Sequence, residues 1–401
     1  MQPTIQTFAS NDPEIEGYIA ARWPFEKLPA RVVVKLGSNV LSRADGSLNR
    51  ERILAVAGQV AKIKAQQGTE FIIVSSGAVA AGMSELGFTA RPTMLPELQS
   101  LAAVGQSALM ATWREAFAHS NQPIGQILLS RADLNDRQRF LNAQHTLEKL
   151  VQLGVVPIVN ENDSVATEEL SFGDNDMLSA FVATKVGAQL LVILSDIEGL
   201  FTGNPRNDPD ARFIPVVDEV TEEIEALAQG RGSAVGRGGM ATKIGAAKHA
   251  KTFGVATIMA NGAAEGILER IAVGKFRGTL FRSVKDQKGG KAHLRWISAV
   301  KPVGKLTVDA GAVAAIQTKG SSLLPVGIQA VAGEFVAGDV ISICTAKGTE
   351  VARGISNYSH ADLELIRGKR CVEFSAILSG RPVYEECIHR NYMYVLPRNA
   401  I

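Results

Sequence analysis

Cysteine is scarce in this 401-residue chain: there are three, Cys344, Cys371 and Cys387, and no CxxC pair. That argues against a disulfide-stapled scaffold and against a thiolate metal site, leaving ordinary reduced cysteines. No unbroken apolar run is long enough to span a bilayer. Residues 1–29 carry acids and polar side chains where a secretion signal needs a basic segment and then an apolar one. The expected location is therefore the cytoplasm, with no membrane partner. An excess of one charge is missing too: 42 basic residues face 40 acidic ones, for a formal net charge of +2. Nothing here marks a chain dominated by nucleic-acid or membrane binding. HExxH, GxSxG and clustered histidines are all lacking, so hydrolase chemistry has no support.

What is present is a core-forming composition, with 46% hydrophobic and 20% charged residues. The length favours two domains. From Arg31 onward, β-branched apolar runs alternate with helical stretches. The strand candidates are 31–35, 70–75, 124–129, 155–160, 189–194 and 255–259; the helix candidates are 50–66, 95–118, 137–153, 177–186 and 240–252. Continuous apolar character such as Leu190–Leu194 suits a strand buried on both faces. The reading is an α/β fold, a mostly parallel sheet sandwiched by helices. The polar stretch from Ser283 reads as a linker. Short glycine-broken strands follow it, with one helical piece at 311–317, which reads as a small β-rich domain. The expected division is an N-terminal extension over 1–30 with no assigned function, a large domain over 31–282, a linker over 283–300, a small domain over 301–380 and a C-terminal segment over 381–401.

In such folds ligands bind outside the carboxyl ends of the strands, and polar residues gather at those ends. Lys35 closes an apolar strand, where a lysine is costly unless it meets an anion, and Gly37 and Ser38 follow it. Ser75, Ser76 and Gly77 open a small-residue helix. Asn160, Glu161, Asn162 and Asp163 break off another strand, and Asp174, Asn175 and Asp176 precede an apolar helix. Together they suit a zwitterionic amino acid, acids facing the ammonium and amides or hydroxyls facing the carboxylates. Ser195 and Asp196 end the most apolar strand. Five glycines between Gly230 and Gly239 run into a helix carrying Lys243 in its first turn, an arrangement that suits nucleotide phosphates. Neither GxxxxGK[ST] nor a GxGxxG on a first βα turn is present. Taken singly, each string also has a plain structural reading: Lys35 as a lysine snorkelling from a sheet edge, the serines and the acid-and-amide strings as caps and turns, the glycine run as a hinge. Two lysines on phosphate-type turns, an acidic pair suited to Mg²⁺ and no nucleophile–base pair point jointly to phosphoryl transfer.

VVVKLGS, IVSSGAVAAG, LLSRADLNDRQRFLNA, PIVNENDSVA, FGDNDMLSA, LSDIEGLFTGNP and GRGGMATK resemble, in order and spacing, the motifs of the glutamate 5-kinase family of the amino-acid kinase superfamily. VDAGAVAAIQTKGSSLLPVGI resembles the PUA domain that this family carries, over 302–380. The resemblance implies an amino-acid kinase fold and ATP- and Mg²⁺-dependent phosphorylation of the L-glutamate side-chain carboxylate, the first step toward proline. Lys35 and Lys243 would bridge ATP phosphates and the transferring group, with Asp176 ordering them or Mg²⁺. Ser195, Asp196 and the loop Arg237, Gly238, Gly239, Met240, Ala241, Thr242 and Lys243 would hold nucleotide. Ser76, Asp163 and Asn175, with Asn160 nearby, would hold glutamate. Residues binding the metal are left unassigned. Proline is implied as a feedback inhibitor at the glutamate pocket, and a homo-oligomer, dimer or tetramer, as the assembly. Arg237 stands where the family more often has a small or hydroxyl residue.

Two other readings stay open. One keeps the fold and changes the substrate to acetylglutamate, aspartate or a nucleoside monophosphate. The other makes the chain an RNA-binding protein through its C-terminal domain, where Arg353, Arg367, Lys369 and Arg370 are basic but no aromatic-interleaved stripe occurs.

Overall fold

The computed structural model describes residues 5–43, 45–165, 175–205, 207–227, 239–283, 294, 297–298 and 300–396. The chain divides into two compact units, Met1–Lys285 and Asp286–Ile401.

In the first unit the order is α1 (Glu14–Ala20), β1 (Arg31–Leu36), α2 (Ser38–Leu41), α3 (Arg50–Gln67), β2 (Glu70–Ser75), α4 (Ala78–Glu85), α5 (Leu95–Ala118), β3 (Ile124–Leu129), α6 (Arg131–Asn135), α7 (Arg137–Gln152), β4 (Val156–Glu161), α8 (Asn175–Lys185) and β5 (Leu190–Ser195). It continues through β6 (Leu200–Phe201), β7 (Phe213–Ile214), β8 (Val216–Val217), α9 (Glu222–Leu227), α10 (Met240–Thr252), β9 (Ala256–Asn261), α11 (Ile267–Ala272) and β10 (Thr279–Phe281). Eight strands form one sheet in the order β3–β4–β2–β1–β5–β9–β10–β8. The pairs from β3 to β9 are all parallel, and only β9–β10 is antiparallel. This is the helix-sandwiched, mostly parallel sheet read from the sequence.

Alternation along each strand builds two apolar layers. Val32, Val34 and Leu36 join the layer that contains Ile53 of α3 and Leu109 of α5. Val33 joins the opposite layer, with Leu178 of α8 and Ile244 of α10. Each such fully buried aliphatic side chain contributes about 1.5–3 kcal/mol. β4, β5 and β9 start one residue later than the apolar runs suggested; β4 and β5 end one residue later and β9 two. The ladder hydrogen-bonds backbone, so Glu161, Ser195 and Asn261 keep their rungs although their side chains end the apolar run. α8 likewise starts at Asn175, two residues before the apolar run, with Asp176 in its first turn. An acid is favoured at that end by the helix dipole.

Several residues of the segment read as an N-terminal extension enter the core, Phe8, Ile15, Ile19 and Leu28 among them. Phe8 exchanges two backbone hydrogen bonds with Phe213, at 2.9 and 2.8 Å. Ile15 and Ile19 of α1 are fully buried, one above the other on a face. Trp23 meets Phe276 edge-on, with ring centroids 5.6 Å apart.

In the second unit β11 (Gly304–Val308), α12 (Ala310–Lys319), β12 (Ile328–Ala332), β13 (Val340–Thr345), β14 (Glu350–Ile355), α13 (His360–Ile366), α14 (Cys371–Leu378) and β15 (Met393–Val395) follow one another. The sheet order is β12–β11–β13–β14–β15. β15 lies in the segment expected to trail this domain, yet it pairs with β14 and completes the sheet. Leu294 and Ile297, from the stretch read as linker, are buried against Val340.

The cysteines differ in exposure: Cys371 is open to solvent, whereas Cys344 and Cys387 are buried. Burial pushes the Cys387 thiol well above its ordinary range, so it forms no thiolate at neutral pH. Titration of the native protein with an aromatic disulfide reagent at pH 8 is expected to show one fast thiol, and denaturant should release the other two. Rapid reaction of all three would contradict this packing.

Candidate active site

Lys35 sits one rung before the end of β1, in a strand whose buried side chains are otherwise apolar. Val34 and Leu36 take the α3/α5 face, so strand alternation sends Lys35 to the other face, toward α8 and α10. There Asp176 in the first turn of α8 meets it: Lys35 Nζ lies 2.5 Å from Asp176 Oδ1. Lys243, the fourth residue of α10, arrives from the other side with Nζ 3.1 Å from Asp176 Oδ2. The Thr242 hydroxyl is 3.1 Å from the same Oδ2 and 2.7 Å from the Gly239 carbonyl. Asp176 has no exposed surface, and Lys35 and Lys243 are 4% and 5% exposed. Charges this deep are screened little by salt and depend on one another for solvation.

The second half of the site lies on the α5 side of the same strand ends. Ser75 ends β2 and accepts a hydrogen bond from the Trp113 indole of α5 at 3.0 Å. Gly77 has φ +104°, a left-handed turn that a side chain would strain; it turns the chain from Ser76 into α4. The Asn175 amide nitrogen reaches across the strand ends to Ser76 Oγ at 2.8 Å, Asn160 Oδ1 at 3.1 Å and the Ser75 carbonyl at 3.2 Å. The Asn160 amide nitrogen in turn donates to Gln106 Oε1 of α5 at 2.9 Å. Asn175 and Asp176 are consecutive, so one helix start holds the lysine pair on one face and this amide relay on the other.

Two glycines bring α5 close enough to take part. A Cβ on Gly82 would fall 1.9 Å from the Leu101 carbonyl oxygen, and one on Gly105 would fall 1.9 Å from that of Ala78. α4 and α5 therefore cross with backbone against backbone, and Gln106 directly follows the crossing.

Ser195 is buried, and its hydroxyl accepts from the Ile197 amide at 3.2 Å. Asp196 is exposed just past β5 and accepts from the Asn39 amide at 3.2 Å. Asp163 lies half-buried in the turn after β4. Gly239 is the extended N-cap of α10, with no side-chain capping hydrogen bond, and Met240, Ala241 and Thr242 form the first turn. Those first-turn N–H groups are of the kind that bind anions. Asp174, Arg237 and Gly238 lie outside the described residues. In the LLSRAD segment, Ser130 and Asp133 cap α6 reciprocally. Burial raises the Asp133 carboxyl, but the Ser130 hydroxyl and amide and Arg139 together hold it below the usual range. Gln106 was not among the residues singled out from sequence. Its one signal is a lone carboxamide directly after a glycine in an otherwise small and apolar stretch of α5.

Comparison with known proteins agrees with this architecture. The model of the Amino acid kinase family matches residues 30–260, and that of the PUA domain matches residues 304–378. A glutamate 5-kinase from Geobacter sulfurreducens is 47% identical over 367 residues, covering 91% of this chain and 97% of the relative. One from Syntrophotalea carbinolica is 45% identical over 366 residues, with 91% and 97% covered. One from Myxococcus xanthus is 44% identical over 367 residues, with 91% and 96% covered. The lysine–aspartate–lysine cluster thus stands in a chain that matches these relatives along nearly their whole length, and the chain belongs to the amino acid kinase family and, within it, to the glutamate 5-kinases.

Proposed function

We propose that this protein transfers the γ-phosphoryl group of ATP to the side-chain carboxylate of L-glutamate, giving L-glutamyl 5-phosphate and ADP. The observation that carries this reading is the pair of buried lysines, one from a strand and one from a helix, gathered on Asp176 beside the hydrogen-bonded amides of Asn175, Asn160 and Gln106. The acceptor is already an anion at neutral pH, so no base has to remove a proton. A carboxylate oxygen forms a bond to the γ-phosphorus as the bond from that phosphorus to the β–γ bridging oxygen breaks, and ADP leaves with the electron pair. The chemical need is to bring two anions together and neutralise charge on the transferring group. Lys35 and Lys243 do this, and Asp176 holds both ammonium groups in place. Ser76, Asn160, Asp163 and Asn175 bind glutamate. The α10 N-terminus, Ser195 and Asp196 bind nucleotide.

Both oxygens of Asp176 face lysines, and among the described residues no three acidic, histidine or cysteine side chains gather as a metal cage. Asp196, the exposed carboxylate just past β5, would be offered to Mg²⁺ carried on the nucleotide phosphates. When bound, Mg²⁺ adds to the neutralisation of phosphate charge. Proline shares the α-amino-acid end of glutamate and is proposed to compete for the same pocket. RNA binding has less support: Arg353 pairs with Glu350 and Arg367 with Glu364 in the second unit.

The test is ATP turnover with Mg²⁺ and L-glutamate in the presence of hydroxylamine, which traps an acyl phosphate as hydroxamate. Hydroxamate that requires glutamate and falls on addition of proline is the expected result. Hydroxamate only with acetylglutamate or aspartate would overturn the substrate assignment while keeping the fold.

A further inference from the structure

We propose that Gln106 recognises the α-carboxylate of the amino-acid substrate through its amide N–H₂, and so sets specificity for a free α-carboxylate. This rests on the glutamate kinase reading above. The orientation of the relay follows from two backbone groups whose polarity is fixed. The Glu161 amide donates to Asn160 Oδ1 at 2.9 Å, which turns the nitrogen of Asn160 toward Gln106. Gln106 must then accept with Oε1, so its Nε2 faces elsewhere. At the other end the Ser75 carbonyl accepts from Asn175 Nδ2, which turns Asn175 Oδ1 away from the relay.

The two atoms left over are Gln106 Nε2 and Asn175 Oδ1. Both are buried, and among the described residues neither has a hydrogen-bond partner. Folded proteins rarely leave such groups unpaired unless a ligand or water completes them. One is a donor and the other an acceptor, and they flank a single carboxamide, that of Asn160. A donor and an acceptor so placed match the carboxylate and ammonium of an α-amino acid. Along the sequence of contacts Asp176–Asn175–Asn160–Gln106, Asp176 is the end that holds the lysines and Gln106 is the other end. The γ-carboxylate must lie at the lysine end to meet the phosphoryl group, so the Gln106 end takes the α-carboxylate. Gln106 is here a specificity-determining residue that touches substrate away from the reacting atoms.

Gln106→Glu tests this with almost no change of shape. It keeps an oxygen to accept from Asn160 and replaces only the unpaired donor. The Michaelis constant for glutamate is expected to rise about 10- to 100-fold, the worth of one hydrogen bond to a charged group. The constant for ATP should stay within about twofold and the melting temperature should hold. The penalty should shrink as pH falls and the introduced carboxyl group takes a proton, which a purely structural role for the side chain would not produce. The α-amide of glutamate, which keeps the γ-carboxylate, is the second probe. The unaltered enzyme should use it at least about tenfold less efficiently than glutamate, and the variant should narrow that ratio. Equal use of the two compounds by the unaltered enzyme, or an unchanged glutamate constant in the variant, would overturn the role of Gln106. Absence of any glutamate-dependent acyl phosphate in the unaltered enzyme would instead overturn the kinase reading.

Discussion

Asp176→Asn is expected to abolish measurable turnover and to destabilise the first unit by about 3–5 kcal/mol, because it removes the carboxylate that two buried ammonium groups share. The substitution is isosteric, so no cavity or overpacking contributes. What is lost is the charge that holds Lys35 and Lys243 within 2.5 and 3.1 Å of one side chain. With asparagine there, two like charges face each other across a dipole, and they relieve the strain by moving apart. Phosphoryl transfer depends on placing these charges before the reaction starts, and the loss of one such group typically lowers kcat about 10²–10³-fold. Displacing both lysines should lower it further. A melting temperature lower by about 10 °C is the matching stability readout. Lys243→Met separates the two effects: it leaves Asp176 paired with Lys35, so the rate should fall at least about 10²-fold with a smaller loss of stability. Near-normal turnover in either variant would remove the cluster from the chemistry.

Gly105→Ala carries the second large effect. The added Cβ would stand 1.9 Å from the Ala78 carbonyl oxygen and 2.2 Å from the Gly82 nitrogen. Both are backbone atoms that cannot rotate away, so α4 and α5 must separate by about 1.5 Å to reach an ordinary contact of roughly 3.5 Å. Such overpacking costs about 1–3 kcal/mol or more. α5 carries Trp113 to Ser75 and Gln106 to Asn160, so the same shift pulls on the amide relay. The expected signature is a lower melting temperature together with a raised Michaelis constant for glutamate and a largely unchanged one for ATP. An unaltered melting temperature would mean that the helices do not cross this closely. Gly58, in the middle of α3, meets nothing within 4 Å and serves as the control, since alanine there should be neutral or stabilising.

The sheet was legible because strands buried on both faces read as unbroken apolar runs, and a lysine inside such a run, as at Lys35, stands out. Lys243 was legible for a related reason, a cation just after a glycine-rich stretch at a helix start. Asp176 was visible as one acid in an acid-and-amide string, but not the fact that both of its oxygens go to lysines 141 and 67 residues away, which only the tertiary fold decides. Gln106 lies 54 residues from Asn160, and nothing in the periodicity of α5 marks it as a position that faces a strand end. Which face of α5 does so depends on two glycines that set its crossing with α4. Helices of seven and eight residues, such as α13 and α14, are shorter than the window in which a 3.6-residue period declares itself. α1 escaped for the same reason, its two buried isoleucines being too few to form a pattern.

The pairing of Phe8 with Phe213 bears on how the protein is made. A ribosome releases the segment around Phe8 and α1 long before the residues that cover them exist, and Trp23 waits longer still for Phe276. β1 has a similar delay, since its neighbour β5 is synthesised about 158 residues later, Val32 lying beside Leu190. A run such as VVV at 32–34 is therefore held half-assembled during synthesis, with an open sheet edge and an uncovered apolar face. Closure of this core is a late, long-range event, and such contacts form slowly because the intervening chain must first be looped together. The first unit should thus depend on chaperones or low expression temperature far more than its finished packing suggests.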